Sequence, residues 1–321
     1  MDPLLNAEGR TPGRRHVTVR DGKAGLPYSK GLMAQSVMAA GLSPYVAFHV
    51  AEVIEERLHT GGCLAITSSE LRQLAARVLE EEVGAQYADS YRLWQQAQDR
   101  TVPLIVLIGG ATGVGKSTVA TSVANRLGIV RIVSTDAVRE VMRGIFTKEM
   151  MPTLHTSSFD VTALLKDPPG DTNPVIAGFR QQVQAVAVGL TQIIRRAVLE
   201  GTDIIVEGAH IVPGFLRFPS RHEAVVAPVV ITVDDPHTHR SHFVARASDS
   251  HNRGEGRYLD HFEDIRRIQD FVREMARAQG VSVVSSSGLD ATVARVTGLV
   301  VSAATDGPHM ERNSNCDVRA P

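Results

Sequence analysis

The sequence predicts an α/β fold in which a mostly parallel sheet, covered by helices on both faces, follows a small, mainly helical domain. Three observations predict it. Short apolar runs at 104–108, 130–133, 204–206, 229–233 and 281–285 alternate with stretches of helical periodicity, the pattern of strand–helix–strand units. The first of these runs leads directly into Gly110-Ala-Thr-Gly-Val-Gly-Lys-Ser117, which matches the phosphate-loop pattern G-x-x-x-x-G-K-[ST] at every fixed position. Before residue 98 the apolar spacing is mainly that of helices.

Taken in order, residues 1–14 are polar, with Pro3 and Pro12, and read as a flexible leader. The string His16-Val-Thr-Val-Arg-Asp-Gly22 predicts a short strand entering an Asp-Gly turn. Helical patterns follow at 32–40 and 43–58, the second opened by Ser43 as N-cap with Pro44 in the first helical position. A third helix starts at Thr67-Ser-Ser-Glu70, a capping-box arrangement, and continues through Leu71, Leu74, Val78 and Leu79. Residues 94–100 are polar, which places a domain boundary near residue 98. The division is therefore a helical domain over 15–97, a phosphate-loop domain over 98–304, and a disordered tail over 305–321. Within the second domain, strand, glycine turn and helix start make a P-loop NTPase/kinase fold: Val119, Val123 and Leu127 carry the helix that the loop opens.

Composition narrows the partners. A chain of 321 residues with 43% hydrophobic and 21% charged residues reads as a soluble globular protein with core enough for two domains. Its formal net charge of −1 offers no general attraction to nucleic acid or an anionic membrane, so neither is an expected partner. No apolar run reaches the ~18 residues of a transmembrane helix, and the first residues lack the layout of a secretion signal. The two cysteines, Cys63 and Cys316, are far apart in sequence; a cytoplasmic setting fits, and a disulfide or metal framework does not. Nothing in the sequence either requires or excludes an oligomer.

The loop residues Gly110, Ala111, Thr112, Gly113, Val114, Gly115, Lys116, Ser117 and Thr118 are expected to hold the phosphates of ATP. Lys116 reaches the β- and γ-phosphates, and the Ser117 hydroxyl holds Mg²⁺. Asp136 lies near the start of the helix after the second strand, placed to orient or deprotonate an acceptor hydroxyl, with Arg139 one turn on for an acidic group; capping by Thr135 or Asp136 is the structural alternative. Glu207 closes the strand 204–206, where an acid can organise the Mg²⁺ shell or the nucleophile, and His210 three residues later suits either a substrate hydrogen bond or a turn. Arg240, Arg246, Arg253 and Arg257 surround a glycine-bearing polar stretch that suits a lid closing over transferred charge, with a solvated surface as the alternative. The proline-rich stretch after the Asp136 helix contributes His155, Ser157 and Ser158 as candidate acceptor ligands. The remaining histidines have no metal-ligand spacing and receive no role.

With Arg-Asp-Gly22, the phosphate loop, Ser134-Thr-Asp-Ala-Val-Arg-Glu-Val-Met-Arg143 and Glu207-Gly-Ala-His-Ile-Val-Pro-Gly214 in hand, the chain resembles the 2-phosphoglycerate kinase family over about residues 16–303. Arg257-Tyr258 and Phe262-x-x-Ile-Arg266 add to the likeness. The resemblance implies an ATP-cone-like N-terminal domain, here Val17-Thr-Val-Arg-Asp-Gly22 with Pro27-Tyr-Ser-Lys30, ahead of a kinase domain. It also implies ATP- and Mg²⁺-dependent phosphorylation of 2-phosphoglycerate to 2,3-bisphosphoglycerate. Two alternatives stay open: a kinase of another small metabolite or nucleoside, and a nucleotide-responsive regulatory protein.

Overall fold

Two compact units divide the chain between Arg92 and Leu93. The computed structural model describes residues 17–21, 24–160, 173–248 and 255–306, without the side chains of 21, 24, 246–248 and 255–257. The leader, Gly22, Lys166-Asp-Pro-Pro-Gly170, Arg253 and residues 307–321 of the tail, Cys316 among them, lie outside the described residues.

In the first unit, β1 (Thr18–Asp21) pairs antiparallel with β2 (Ala24–Pro27) and parallel with β3 (Ala65–Thr67). Of these only β1 has a strand signal in the sequence. The second carries Gly25 and Pro27, the third is three residues long, and neither shows apolar alternation. Helices α1 (Lys30–Met38), α2 (Pro44–Thr60) and α3 (Ser68–Glu82) start where their caps dictate. Ser43 Oγ accepts from Val46 N–H ahead of Pro44, and Thr67 and Glu70 complete the expected capping box, at 3.2 Å to Glu70 N–H and 2.9 Å back to Thr67 N–H. Their apolar faces bury Val37, Val50, Ile54, Val78 and Leu79 in one core. Cys63 is half-buried, its thiol 3.1 Å from the Ala65 carbonyl.

Residues 94–100, read as a polar approach to the first strand, instead belong largely to a further helix, α4 (Ala85–Gln98). Its buried stripe is Ala88, Tyr91, Trp94 and Ala97, spaced by three and masked in the sequence by intervening glutamines. The division between the units falls inside this helix.

The second unit is a five-stranded parallel sheet ordered β5-β6-β4-β7-β8, formed by β4 (Leu104–Gly109), β5 (Ile132–Ser134), β6 (Ile204–Gly208), β7 (Val225–Thr232) and β8 (Ser282–Ser285). Between and after them come α5 (Lys116–Leu127), α6 (Thr135–Ile145), a 3-10 turn (Pro152–His155), α7 (Pro174–Leu199), α8 (Pro236–Ser248), α9 (Glu255–Asp260), α10 (Phe262–Ala278) and α11 (Leu289–Thr305). Successive β4 residues point to opposite faces, yet Leu104 to Ile108 are all fully buried, so helices cover both. One face packs Ile105, Leu107, Ile204 and Val206 against α6 and α7; α11 contacts both β7 and α5. Among the described residues no helix is long and apolar enough to cross a membrane.

Strand β7 begins four residues before the 229–233 run, because Pro228 interrupts the sequence signal. Val225 N–H bonds the Pro103 carbonyl beside β4, so strand alternation turns position 228 the other way, and β8 pairing starts only at Val229. The proline's missing donor faces an unpaired edge.

Candidate active site

Strand β4 carries the chain to Gly109 at the carboxyl end of the sheet, and the glycine loop turns it into α5. Lys116, 9% exposed, folds back so that its ammonium donates to the Ala111 carbonyl at 2.6 Å, tying the end of the loop to its beginning. Ser117 donates its hydroxyl to Glu207 Oε1 at 3.0 Å. Sheet register explains the pairing: Glu207 lies beside Ile108 of β4 and Ser134 of β5, the last residue before α6. A buried carboxylate is costly without partners, and Glu207 is 6% exposed. Its hydroxyl partner and the carboxylate form a pair of hard oxygen ligands of the kind Mg²⁺ takes alongside water and nucleotide phosphates.

At the start of α6 the cap is neither Thr135 nor Asp136, the two residues that the sequence offered for it. Ser134 Oγ accepts from Asp136 N–H at 3.2 Å, which leaves the Asp136 carboxylate 69% exposed. Arg139 Nε lies 3.8 Å from that carboxylate and forms no hydrogen bond, while Nη1 donates to the Thr156 carbonyl at 2.5 Å. An acid and a cation thus stand together at the mouth of the strand ends.

Beneath them runs a buried relay. Gln182 of α7 uses its amide N–H₂ on the Thr153 and Thr156 carbonyls, so its oxygen accepts from His210 Nε2–H at 3.0 Å. His210 Nδ1 must then accept, and it takes the Thr135 hydroxyl at 2.9 Å. That tautomer is neutral, in keeping with a His210 pKa pushed down to about 4, chiefly by burial; Asp136 opposes the shift, and Arg139 and Lys116 add to it. Both nitrogens of His210, expected as a substrate ligand, are committed inside the protein. Gly208, at φ +149°, lets β6 approach: an added Cβ would lie 1.8 Å from Thr135 Oγ1. Gln182 had no signal in the sequence and Thr135 was read only as a cap, since each acts through a partner distant along the chain.

His155, another expected ligand, donates from Nε2 to the Phe146 carbonyl at 2.8 Å and holds the 3-10 turn against the end of α6. Arg240 stacks over the Phe262 ring at 4.4 Å and pairs with Glu263 at 3.7 Å, so its described contacts are with α10. Arg246 and Arg257 fall in α8 and α9, with side chains outside the described residues. Aromatic contacts join these helices to the segment after the 3-10 turn: Tyr258 of α9 stacks on Phe243 of α8 at 5.3 Å and lies 5.6 Å from Phe159. From α8, His239 and His242 reach the phosphate loop itself, bonding the Thr112 and Gly113 carbonyls at 2.8 and 2.9 Å. Their spacing by three residues, one helical turn, was the signal available in the sequence.

No family model matches the chain. Curated relatives do. A 2-phosphoglycerate kinase of Methanopyrus kandleri is 37% identical over 90% of this chain and 88% of its own. That of Thermococcus kodakarensis is 39% identical over 87% of this chain and 94% of its own, and that of Methanothermobacter thermautotrophicus 36% over 90% and 92%. Among solved structures, a shikimate kinase from Acinetobacter baumannii in complex with shikimate aligns at a TM-score of 0.36 and 15% identity, covering 64% of this chain and 97% of that one. With more than a third of the residues identical across almost the full length of these relatives, the chain belongs to the 2-phosphoglycerate kinase family.

Proposed function

We propose that the protein transfers the γ-phosphoryl group of ATP to the free hydroxyl of 2-phosphoglycerate, giving 2,3-bisphosphoglycerate and ADP. The observation that carries this reading is the meeting of three strand ends at Glu207, which puts the phosphate-loop Ser117 beside the turn presenting Asp136 and Arg139. The relatives' shared name supports the choice of acceptor.

In the proposed reaction the loop amides and Lys116 hold the triphosphate. The acceptor oxygen bonds to the γ-phosphorus, the bond to the β–γ bridging oxygen breaks, and Asp136 takes the hydroxyl proton. Arg139, with a buried Nε that makes no hydrogen bond, binds the acceptor's own phosphate or carboxylate. Ser117 and Glu207 would hold Mg²⁺, which would supply charge neutralisation to the transferred group. Arg240, Arg246, Arg253 and Arg257 remain the proposed source of further positive charge over the transferred group. The proposal includes a cytoplasmic setting and a small acidic metabolite as partner, without nucleic acid or membrane.

The test titrates 2-phosphoglycerate, 3-phosphoglycerate, glycerate, shikimate and nucleosides at fixed MgATP, measuring ADP and the mass of the phosphorylated product. 2-Phosphoglycerate should give the highest kcat/KM. Arg139→Ala should lower that value by about 10- to 150-fold, the weight of one charge-assisted contact, with the KM for ATP little changed. A neutral nucleoside as best acceptor would overturn the acceptor assignment and leave the phosphate loop standing. Slow ADP release without response to any acceptor would favour the regulatory alternative.

A further inference from the structure

The back of the phosphate loop is held by one face of α8. His239 and His242, one helical turn apart, place Nε2 and Nδ1 at 2.8 and 2.9 Å from the Thr112 and Gly113 carbonyls. A carbonyl oxygen only accepts, so each facing nitrogen carries the proton: Nε2–H in His239, Nδ1–H in His242. His239 is fully buried, and its Nδ1 makes no hydrogen bond. Burial pushes its pKa down to about 4, against the opposing pull of the Thr112 carbonyl and with help from Arg266, His242 and Lys116, so the donor tautomer is uncharged. Phe243, next along α8, fills the space that a side chain at Gly113 would need: a Cβ there would come within 2.4 Å of its ring.

The geometry of a trans peptide turns these contacts into a statement about the loop. Within each unit the N–H and C=O point in opposite directions. The Thr112 carbonyl shares its unit with the Gly113 N–H, and the Gly113 carbonyl shares its unit with the Val114 N–H. Both units flank a glycine at φ +84°, where backbone rotation is least hindered. If either rotated by half a turn, a carbonyl dipole would replace an N–H dipole on the side where a polyphosphate must lie. We propose that His239 and His242 are positioning residues that fix the direction of the Gly113 and Val114 N–H groups, so that the loop presents donors to the phosphates of a nucleoside triphosphate. The inference rests on nucleotide binding by the loop and is independent of which acid is phosphorylated.

The experiment measures binding of MgATP, and of AMP as a ligand without the polyphosphate, to the full-length protein by calorimetry with no acceptor present. His239→Leu and His242→Ala remove the donors. His239→Gln and His242→Asn keep an amide N–H near the original nitrogen. The donor-deleting variants should bind MgATP about tenfold more weakly, the weight of one hydrogen bond, and AMP as wild type does. The amide variants should recover most of the loss, and all should keep the wild-type circular dichroism. Unchanged MgATP affinity in the folded deletions, equal damage in the amide variants, or an equal loss for AMP would each overturn the proposal. If His239→Leu does not fold, the half-exposed His242 decides alone, through His242→Ala against His242→Asn.

Discussion

The place of Glu207 beside Ser117 was legible because chemistry and position coincide: a carboxylate ends an apolar strand paired directly with the one that leads into the phosphate loop. Lys116, Ser117 and Asp136 are in the same class, each fixed by a local pattern of loop, strand end or helix start. Gln182 is not. Nothing within ten residues of Gln182 announces that its amide will bridge His210 to two carbonyls, because the partners come from other elements. A related contact gives a sharp prediction at Gly208, which sits at φ +149° with Thr135 Oγ1 1.8 Å from where a Cβ would stand. Thr135 is fully buried and bonded to His210, so it has no room to withdraw. Gly208→Ala should therefore destabilise the protein by about 2–4 kcal/mol, combining backbone strain with overpacking. A denaturant midpoint equal to that of wild type at unchanged slope would refute the contact.

Helix beginnings read well from sequence and strand extents did not, for a physical reason. An N-cap is settled by four consecutive residues, as at Ser43-Pro44 and Thr67-Ser-Ser-Glu70, whereas a strand is settled by its neighbours. Thus β2 and β3 exist through pairing with β1, and β7 runs through Pro228 because the proline's missing N–H lies on the side where β8 pairing has not yet begun. The long helix α7 shows what an element contributes beyond its own stability. Asn173 caps it and Pro174 starts it, which anchors a rigid rod whose Gln182 holds the turn Pro152–His155. On this view Gln182→Leu leaves the His210 N–H unpaired, at a cost of about 1–3 kcal/mol, and takes one donor from the Thr153 and Thr156 carbonyls, which keep the Thr156 hydroxyl and Arg139. Because the freed turn adjoins Arg139 through Thr156, the KM for the acceptor should rise severalfold with the MgATP affinity nearly constant. Equal changes in both constants, or in neither, would show that the turn is not part of the acceptor side.

The folded molecule keeps two histidines, His210 and His239, uncharged in its interior, each with its pKa lowered from 6.5 to about 4 mainly by burial. An unfolded chain regains the ordinary value, so between pH 6.5 and 4 it binds protons that the folded chain refuses. Stability therefore rises with pH through this window and is lost as pH falls. Each group contributes up to about 1.4 kcal/mol per pH unit where the two states differ by a full proton. Carboxylates such as Glu200, Glu223 and Asp235, whose pKa values are lowered by hydrogen bonds from Arg131, Ser220 and Thr238 respectively, act in the same direction but below their ordinary values of 4.5, 4.5 and 3.8. The interval from pH 6.5 to 5 consequently isolates the histidines. Urea unfolding at half-unit steps across it should give a free energy that falls with acidity, steepest toward pH 5. His210→Gln should remove about one proton from that slope while lowering stability at pH 7, where the relay to Thr135 is fully formed. A flat profile in wild type, or a slope the variant leaves untouched, would mean that these imidazoles take up protons in the fold as readily as in water, and the neutral relay beneath Asp136 would be wrong.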